Sequence, residues 1–219
     1  MKLTVFGPTG RIGQHVLAQA AGHDVTAVAR NPAKLSPGVR VITADMSAPD
    51  PEVLESAVGG ADAVLSCLGP RKRAEHGIVP AATRAIAAAM QATGTRRLVV
   101  VSGVGVSTVP TPSRPHPPKR EPGTGPVMQY LTIPLVRRML GQHFVDVALM
   151  EDFLRSCDLD WTVLRVPRVV DAPATGRFRT ACDHPLRAAL RIGRADAAQV
   201  LLRLAEQPDT AGKVVTAAY

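Results

Sequence analysis

Aromatic residues are scarce in this chain of 219: one Trp, two Tyr and four Phe, 3% in all. That scarcity removes the stacked platform on which single-stranded nucleic acids are held. Cysteine is rarer still, with only Cys67, Cys157 and Cys182. They lie far apart with no paired spacing, which argues against a disulfide framework and a zinc site and leaves them as small packing residues. The six histidines show no metal-ligand spacing, so no metal is expected. No apolar run reaches the ~18 residues of a membrane span, and Met1 to Gly7 is too short for the charged and apolar regions of a signal peptide. A cytoplasmic protein with no membrane partner is the expectation.

What is present reads as an ordinary folded chain, with 46% hydrophobic and 20% charged residues. Its length suits a single domain over residues 1–219. The 26 Lys and Arg against 18 Asp and Glu leave a net charge of +8. These cations come in short scattered groups (Arg71-Lys72-Arg73, Arg96-Arg97, Lys119-Arg120, Arg137-Arg138), the pattern of a solvated basic surface. No nucleic-acid partner is expected, although such a surface concentrates anionic small molecules.

Short runs rich in Val, Leu and Ile predict strands at Lys2 to Phe6, Asp24 to Ala29, Val39 to Thr43, Ala63 to Cys67 and Leu98 to Val101. Helical segments separate them, which implies a doubly wound α/β fold of Rossmann type, a parallel sheet with helices on both faces. Asn31-Pro32 and Asp50-Pro51 each place a capping side chain before a proline suited to the first helical position, so both are read as helix starts. Ile78 to Thr93 carries Ile78, Ala82, Ile86 and Met90 four apart, and Gly94 follows as a C-terminal cap. Further on, a helical stretch is predicted from Met128 to Cys157, a strand at Trp161 to Val166, a helix at Ala195 to Gln207 and a strand at Lys213 to Ala217.

Between these halves, residues 107–126 hold seven of the 19 prolines and cannot form a regular element. Such a segment inside a compact domain is a lid, a binding loop or a linker without a role.

The most informative motif is Gly7-Pro8-Thr9-Gly10-Arg11-Ile12-Gly13, directly after the first strand and opening the first helix. Gly7 serves the tight turn, Gly10 lets the backbone approach a pyrophosphate, and Gly13 lets the helix pack closely on the sheet. About 20 residues on, where an Asp or Glu would hold the ribose 2′-hydroxyl of NAD, stands Arg30. A guanidinium offers paired donors to a 2′-phosphate, so the position favours NADP, with Lys34 one turn along.

Together with Val28-Ala29-Arg30-Asn31, Ala44-Asp45, Leu65-Ser66-Cys67-Leu68-Gly69 and Val100-Val101-Ser102-Gly103, the glycine turn makes the chain resemble the atypical short-chain dehydrogenase/reductases. The likeness is to their NmrA-like and biliverdin reductase B (flavin reductase) group. Asp160-Trp161-Thr162-Val163-Leu164-Arg165 and Arg194-Ala195-Asp196-Ala197-Ala198 extend it over nearly the whole chain. The resemblance implies that Gly7, Thr9, Gly10, Arg11, Ile12, Gly13 and Arg30 bind NADP(H), with Asp45 and Met46 beside the adenine. It places Leu68 and Gly69 along the cofactor, Ser102 near the nicotinamide as the one catalytic candidate, and Pro167 lining the nicotinamide pocket.

The chain departs from the common pattern in one respect. Its tyrosines are Tyr130 and Tyr219, position 134 is proline, and no lysine lies between Lys119 and Lys213, so there is no Tyr-x-x-x-Lys pair. A reduced ketone needs a positioned acid for its alkoxide. A flavin or quinone delocalises the hydride's charge and takes its proton from water. The expected activity is therefore hydride transfer from NADPH to a flavin, quinone or similar conjugated acceptor. The alternatives are a non-catalytic, NADP-sensing regulator of NmrA-like type and, less well supported without Tyr and Lys, an epimerase relative. Ser102 has no evident His or Asp partner in sequence, Cys67 is read as packing, and His15 and His23 as solvated. His116, inside the proline-rich segment, is held in reserve as a group that could approach an acceptor, and the oligomeric state stays open.

Overall fold

The structure is a computed structural model that describes residues 1–35, 38–69, 75–121, 125, 130, 133–184 and 186–219, without the side chains of 133–140. Its main sheet uses eight strands: β1 (Lys2–Phe6), β2 (Asp24–Ala29), β3 (Arg40–Thr43), β4 (Ala63–Ser66), β5 (Arg97–Gly103), β6 (Asp160–Val166), β8 (Arg179–Cys182) and β10 (Lys213–Ala218). They lie in the order β3-β2-β1-β4-β5-β6-β10-β8. All pairings are parallel except β10 with β8. A separate parallel pair joins β7 (Arg168–Val170) to β9 (Arg191–Gly193).

The expected doubly wound Rossmann-type fold is therefore present, and its cause is visible in the strands. Successive side chains point to opposite faces, and here both faces are covered. Phe6, Leu98, Val100, Trp161 and Val163 enter one core, under α2 (Pro51–Val58), α3 (Ile78–Thr93) and α4 (Ile133–Arg155). Val5, Val99 and Leu164 enter the other, under α1 (Gly13–Gln19) and α5 (Arg194–Ala205). Continuous apolar runs result where a one-sided sheet would alternate.

The capping signals had unequal outcomes. Asp50 Oδ1 accepts from Glu52 N–H at 3.0 Å and opens α2 behind Pro51. Asn31 Oδ1 accepts from Ala33 N–H at 3.1 Å, but the element it caps is only a 3-10 turn, Pro32–Lys34. In sequence Pro37 follows, outside the described residues, and the position before a proline is biased away from helix. Gly94 ends α3 with φ +75°, as its position implies. The long helix α4 begins at Ile133, and Met128 falls outside the described residues.

Two buried polar fastenings secure the elements. Arg97, at the start of β5, donates to the Asp160, Leu204 and Gln207 carbonyls (2.7, 2.5 and 3.2 Å) and to Thr210 Oγ1 (2.8 Å). Its guanidinium thereby ties the start of β6 to the end of α5 and the turn that follows it. Asp196, in the first turn of α5, accepts from Tyr219 OH (2.6 Å), Thr175 Oγ1 (2.8 Å) and the N–H groups of Thr175 and Gly176 (3.0 and 2.9 Å). Among the described residues no helix is long and apolar enough to cross a membrane.

Against the upward push of burial, the bonds from Tyr219, Gly176 and Thr175 hold the Asp196 carboxyl below its ordinary range. The resulting stability is present above the unfolded pKa of about 3.9 and is lost as pH falls through the lower folded value. Asp196→Asn cannot accept from all these donors and should cost about 1–3 kcal/mol near neutral pH. Urea unfolding should show this loss, and the gap between variant and parent should narrow in acid.

Candidate functional site

Chain reversal between β1 and β4 creates the switch point of the sheet, and the loops after β1 to β6 gather at the C-terminal strand ends, where this fold binds ligands. In the middle lies the turn from Gly7 to Gly13. Gly7 has φ +71°, and a Cβ there would stand 2.8 Å from the Cys67 carbonyl oxygen. A Cβ on Gly13 would fall on the Gly7 carbonyl oxygen itself. Gly10 N–H donates to that same oxygen at 3.0 Å. The turn is thus pressed both onto the segment after β4 and onto its own first residue. Thr9 and Ile12 are partly buried, and Arg11 is exposed.

Arg30 follows β2 on one side of this turn. It is exposed, with Nη2 3.4 Å from Glu75 Oε1. Asp45, after β3, accepts from Ser47 N–H (3.0 Å) and Oγ (2.8 Å). Those two bonds, with the nearby Arg30 charge, hold its carboxyl below the usual range. Met46 has its side chain in the core at 8% exposure, so its thioether is turned toward packing. Leu68 leans on the same core, while Gly69 is exposed, and a Cβ placed on it would meet nothing within 4 Å.

On the other side the structure shows what sequence reasoning missed. Ser102 and Arg165 are direct neighbours across β5 and β6 and face α4. Ser102 Oγ donates to Glu151 Oε1 at 2.6 Å, so its partner is a glutamate on α4, where sequence reasoning considered only His or Asp. Arg165 grips the same carboxylate with two bonds, Nε to Oε1 at 2.9 Å and Nη2 to Oε2 at 2.5 Å. Arg165 Nη1 also donates to Ser107 Oγ at 2.6 Å and lies 3.4 Å from Glu121 Oε1. Glu121 in turn accepts from Ser107 N–H and Oγ, both at 3.0 Å. Burial pushes the Glu121 carboxyl up, against the pull of Arg165 and of the Ser107 bonds. For Arg165, burial acts downward, but the Glu151 bonds and charge prevail and raise its pKa.

A signal for this cluster did exist in the sequence. Arg165 is the one charge in Trp161 to Val166, and Glu151 stands between Val147 and Leu154 on the buried stripe of α4. A charge on a buried face needs a partner.

The remaining candidates separate cleanly. Pro167 sits partly buried between β6 and β7. Burial pushes the Cys67 thiol up to about 12, so it stays protonated at neutral pH. Tyr219 OH is occupied by Asp196 and by Gly193 N–H, and Tyr130 is exposed under the Arg120 guanidinium at 5.4 Å. His15 and His23 are partly buried, and His116 is exposed. Of the proline-rich segment, residues 107–121 and 125 are described. They begin with a 3-10 turn, Val106–Thr108, and otherwise hold only a bridge between Thr111 and Arg114.

A family model described as NAD(P)H-binding matches residues 7–208, and the chain belongs to that family. The resemblance to atypical short-chain dehydrogenase/reductases stands with this finding. Among solved structures, a protein of Burkholderia pseudomallei named as exported is 29% identical with a TM-score of 0.75, covering 100% of both chains. A Streptococcus pneumoniae protein assigned as an NADH-flavin reductase is 22% identical, TM-score 0.77, over 100% of this chain and 99% of that one. A Veillonella parvula short-chain dehydrogenase/reductase in complex with NADP is 17% identical, TM-score 0.79, over 100% and 94%.

The crowding at Gly13 makes a direct test. Gly13→Ala should lower stability by about 1–3 kcal/mol, the usual cost of overpacking, and impair dinucleotide binding with it. Gly69→Ala, with open space around it, should melt at the parental temperature.

Proposed function

We propose that the chain, acting as one NAD(P)-binding unit over residues 1–219, is an NADP(H)-dependent reductase that passes hydride to a flavin, quinone or similar conjugated acceptor. The glycine cradle fits a dinucleotide pyrophosphate, since the methyl groups missing from Gly7 and Gly13 are the ones its closeness forbids. Gly7, Thr9, Gly10, Arg11, Ile12 and Gly13 would hold the phosphates. Arg30 would take the 2′-phosphate, Asp45 and the Met46 backbone would flank the adenine, and Leu68 and Gly69 would follow the cofactor's length. Ser102 and Pro167 would border the nicotinamide. When bound, the cofactor supplies a hydride, and the reduction of the acceptor is completed by a proton from solvent.

One observation carries the reaction type: the Ser102 hydroxyl is donated to Glu151 at 2.6 Å. Its proton is committed to a carboxylate, so it is a poor acid for an alkoxide. Placement of donor against acceptor is then the chain's main contribution. The same feature also suits the second reading, an NADP-sensing protein of NmrA-like type that binds without turnover. A cytoplasmic location goes with a reductant drawn from the cell's own NADPH.

Two measurements test this reading. NADPH should bind about 10- to 100-fold more tightly than NADH, corresponding to about 1.5–3 kcal/mol from charge-assisted bonds, and Arg30→Ala should level the two. Equal affinities in the parent protein would remove the NADP assignment. In an NADPH-oxidation panel, free flavins or quinones should be reduced and simple ketones should not. A ketone reduced rapidly would overturn the acceptor class, and tight binding without any turnover would favour the sensor.

A further inference from the structure

Residues 107–121 of the proline-rich segment form a closed loop with one acidic residue. Between positions 107 and 126 the charged side chains are Arg114, Lys119, Arg120 and Glu121, and only Glu121 is negative. The three cations keep contact with solvent, whereas Glu121 is turned inward at 6% exposure. Its carboxylate meets Ser107 N–H and Oγ, fourteen positions earlier, so the neck of the loop is tied shut as in an Ω-loop. The body of the loop is pinned separately. Asp152 on α4 accepts from Thr111 Oγ1 at 2.7 Å, from Ser113 N–H at 3.3 Å and from Ser113 Oγ.

The buried guanidinium of Arg165 already has its counter-ion: Glu151 holds it by two bonds, while Arg155, 3.4 Å from Glu151 Oε2, has a half-exposed side chain whose charge is met by solvent. A second carboxylate brought to the same place is disfavoured by desolvation, which is why its proton is held more tightly than usual. Local rules broken in this way are characteristic of functional positions, where another requirement outweighs the cost. The requirement here is spatial. Glu121 touches Ser107 and Arg165, Arg165 touches Glu151, and Glu151 holds Ser102 at the end of β5.

Resting on the reductase reading, we propose that Glu121 is a positioning residue for the hydride acceptor: it locks the neck of loop 107–121 onto the strand ends and, through Ser107 and Arg165, fixes the Ser102–Glu151 pair beside the acceptor. The loop is then a wall of the acceptor site and not a linker. Glu121 itself performs no proton or hydride transfer. Its influence falls on the acceptor and spares the dinucleotide, whose phosphates and adenine lie at β1 to β3.

The test uses the full chain with Glu121→Gln, and Ser107→Ala as a second variant that leaves every charge in place. Trypsin reads the neck directly, because Lys119 and Arg120 are exposed beside the buried Glu121, while Arg114 precedes a proline and resists cleavage. Cleavage after Lys119 or Arg120 should accelerate about tenfold in Glu121→Gln and less in Ser107→Ala. With free flavin or a water-soluble quinone as acceptor, KM should rise about tenfold, with the NADPH Kd within twofold of the parent. Unchanged cleavage overturns the lock. Faster cleavage with unchanged acceptor KM and kcat overturns the positioning role, as does a parallel loss of NADPH affinity and melting temperature in both variants. A parent protein that binds NADPH but reduces no acceptor removes the reductase reading, and the positioning role with it, whatever trypsin shows.

Discussion

The packing at the C-terminal ends of β5 and β6 depends on one guanidinium. Arg165 lies on a strand buried from both sides, and its charge can stay there only because Glu151 meets it with two hydrogen bonds. Removing one partner of such a buried pair typically costs about 3–5 kcal/mol, because the other charge is stranded. The pair therefore dictates local geometry more strictly than apolar packing could. It fixes α4 against β6, gives Ser102 an acceptor for its hydroxyl, and leaves one guanidinium nitrogen to receive the proline-rich loop.

The opposite end of the strand row is built differently. Arg30 is exposed, and carboxylates of Glu75 and Asp45 lie in its field. Exposed pairs of this kind contribute little and are screened by salt. A ligand phosphate there competes with weak partners, whereas a group approaching Arg165 meets a closed set. One end can exchange counterions freely, and the other is preorganised before any ligand arrives.

Much of this architecture could be read in the sequence, for identifiable reasons. Runs such as Leu98 to Val101 are apolar on consecutive residues because they serve two cores, and that signal pointed to the parallel sheet. Glycines at 7, 10 and 13 disclosed a close backbone approach. The strands β7, β8 and β9 escaped notice: each has three or four residues and begins with arginine, so no hydrophobic period can develop. The charge cluster was hidden for another reason. Ser102, Glu121, Glu151 and Arg165 are scattered over more than sixty positions, and only the folded sheet reveals that they meet. Their individual oddity, a charge on a buried face, was legible; their partnership was not.

The position of β10 has a consequence for how the chain is made. This strand is inserted between β6 and β8, and among the described residues β8 has no other ladder partner. β8 precedes β10 in sequence, so during synthesis it leaves the ribosome before its template exists. Over that interval the far edge of the nascent sheet is β6, with its outer row of amides and carbonyls unpaired. That edge stays open to strand-edge association until β10, the last strand of the chain, has been made.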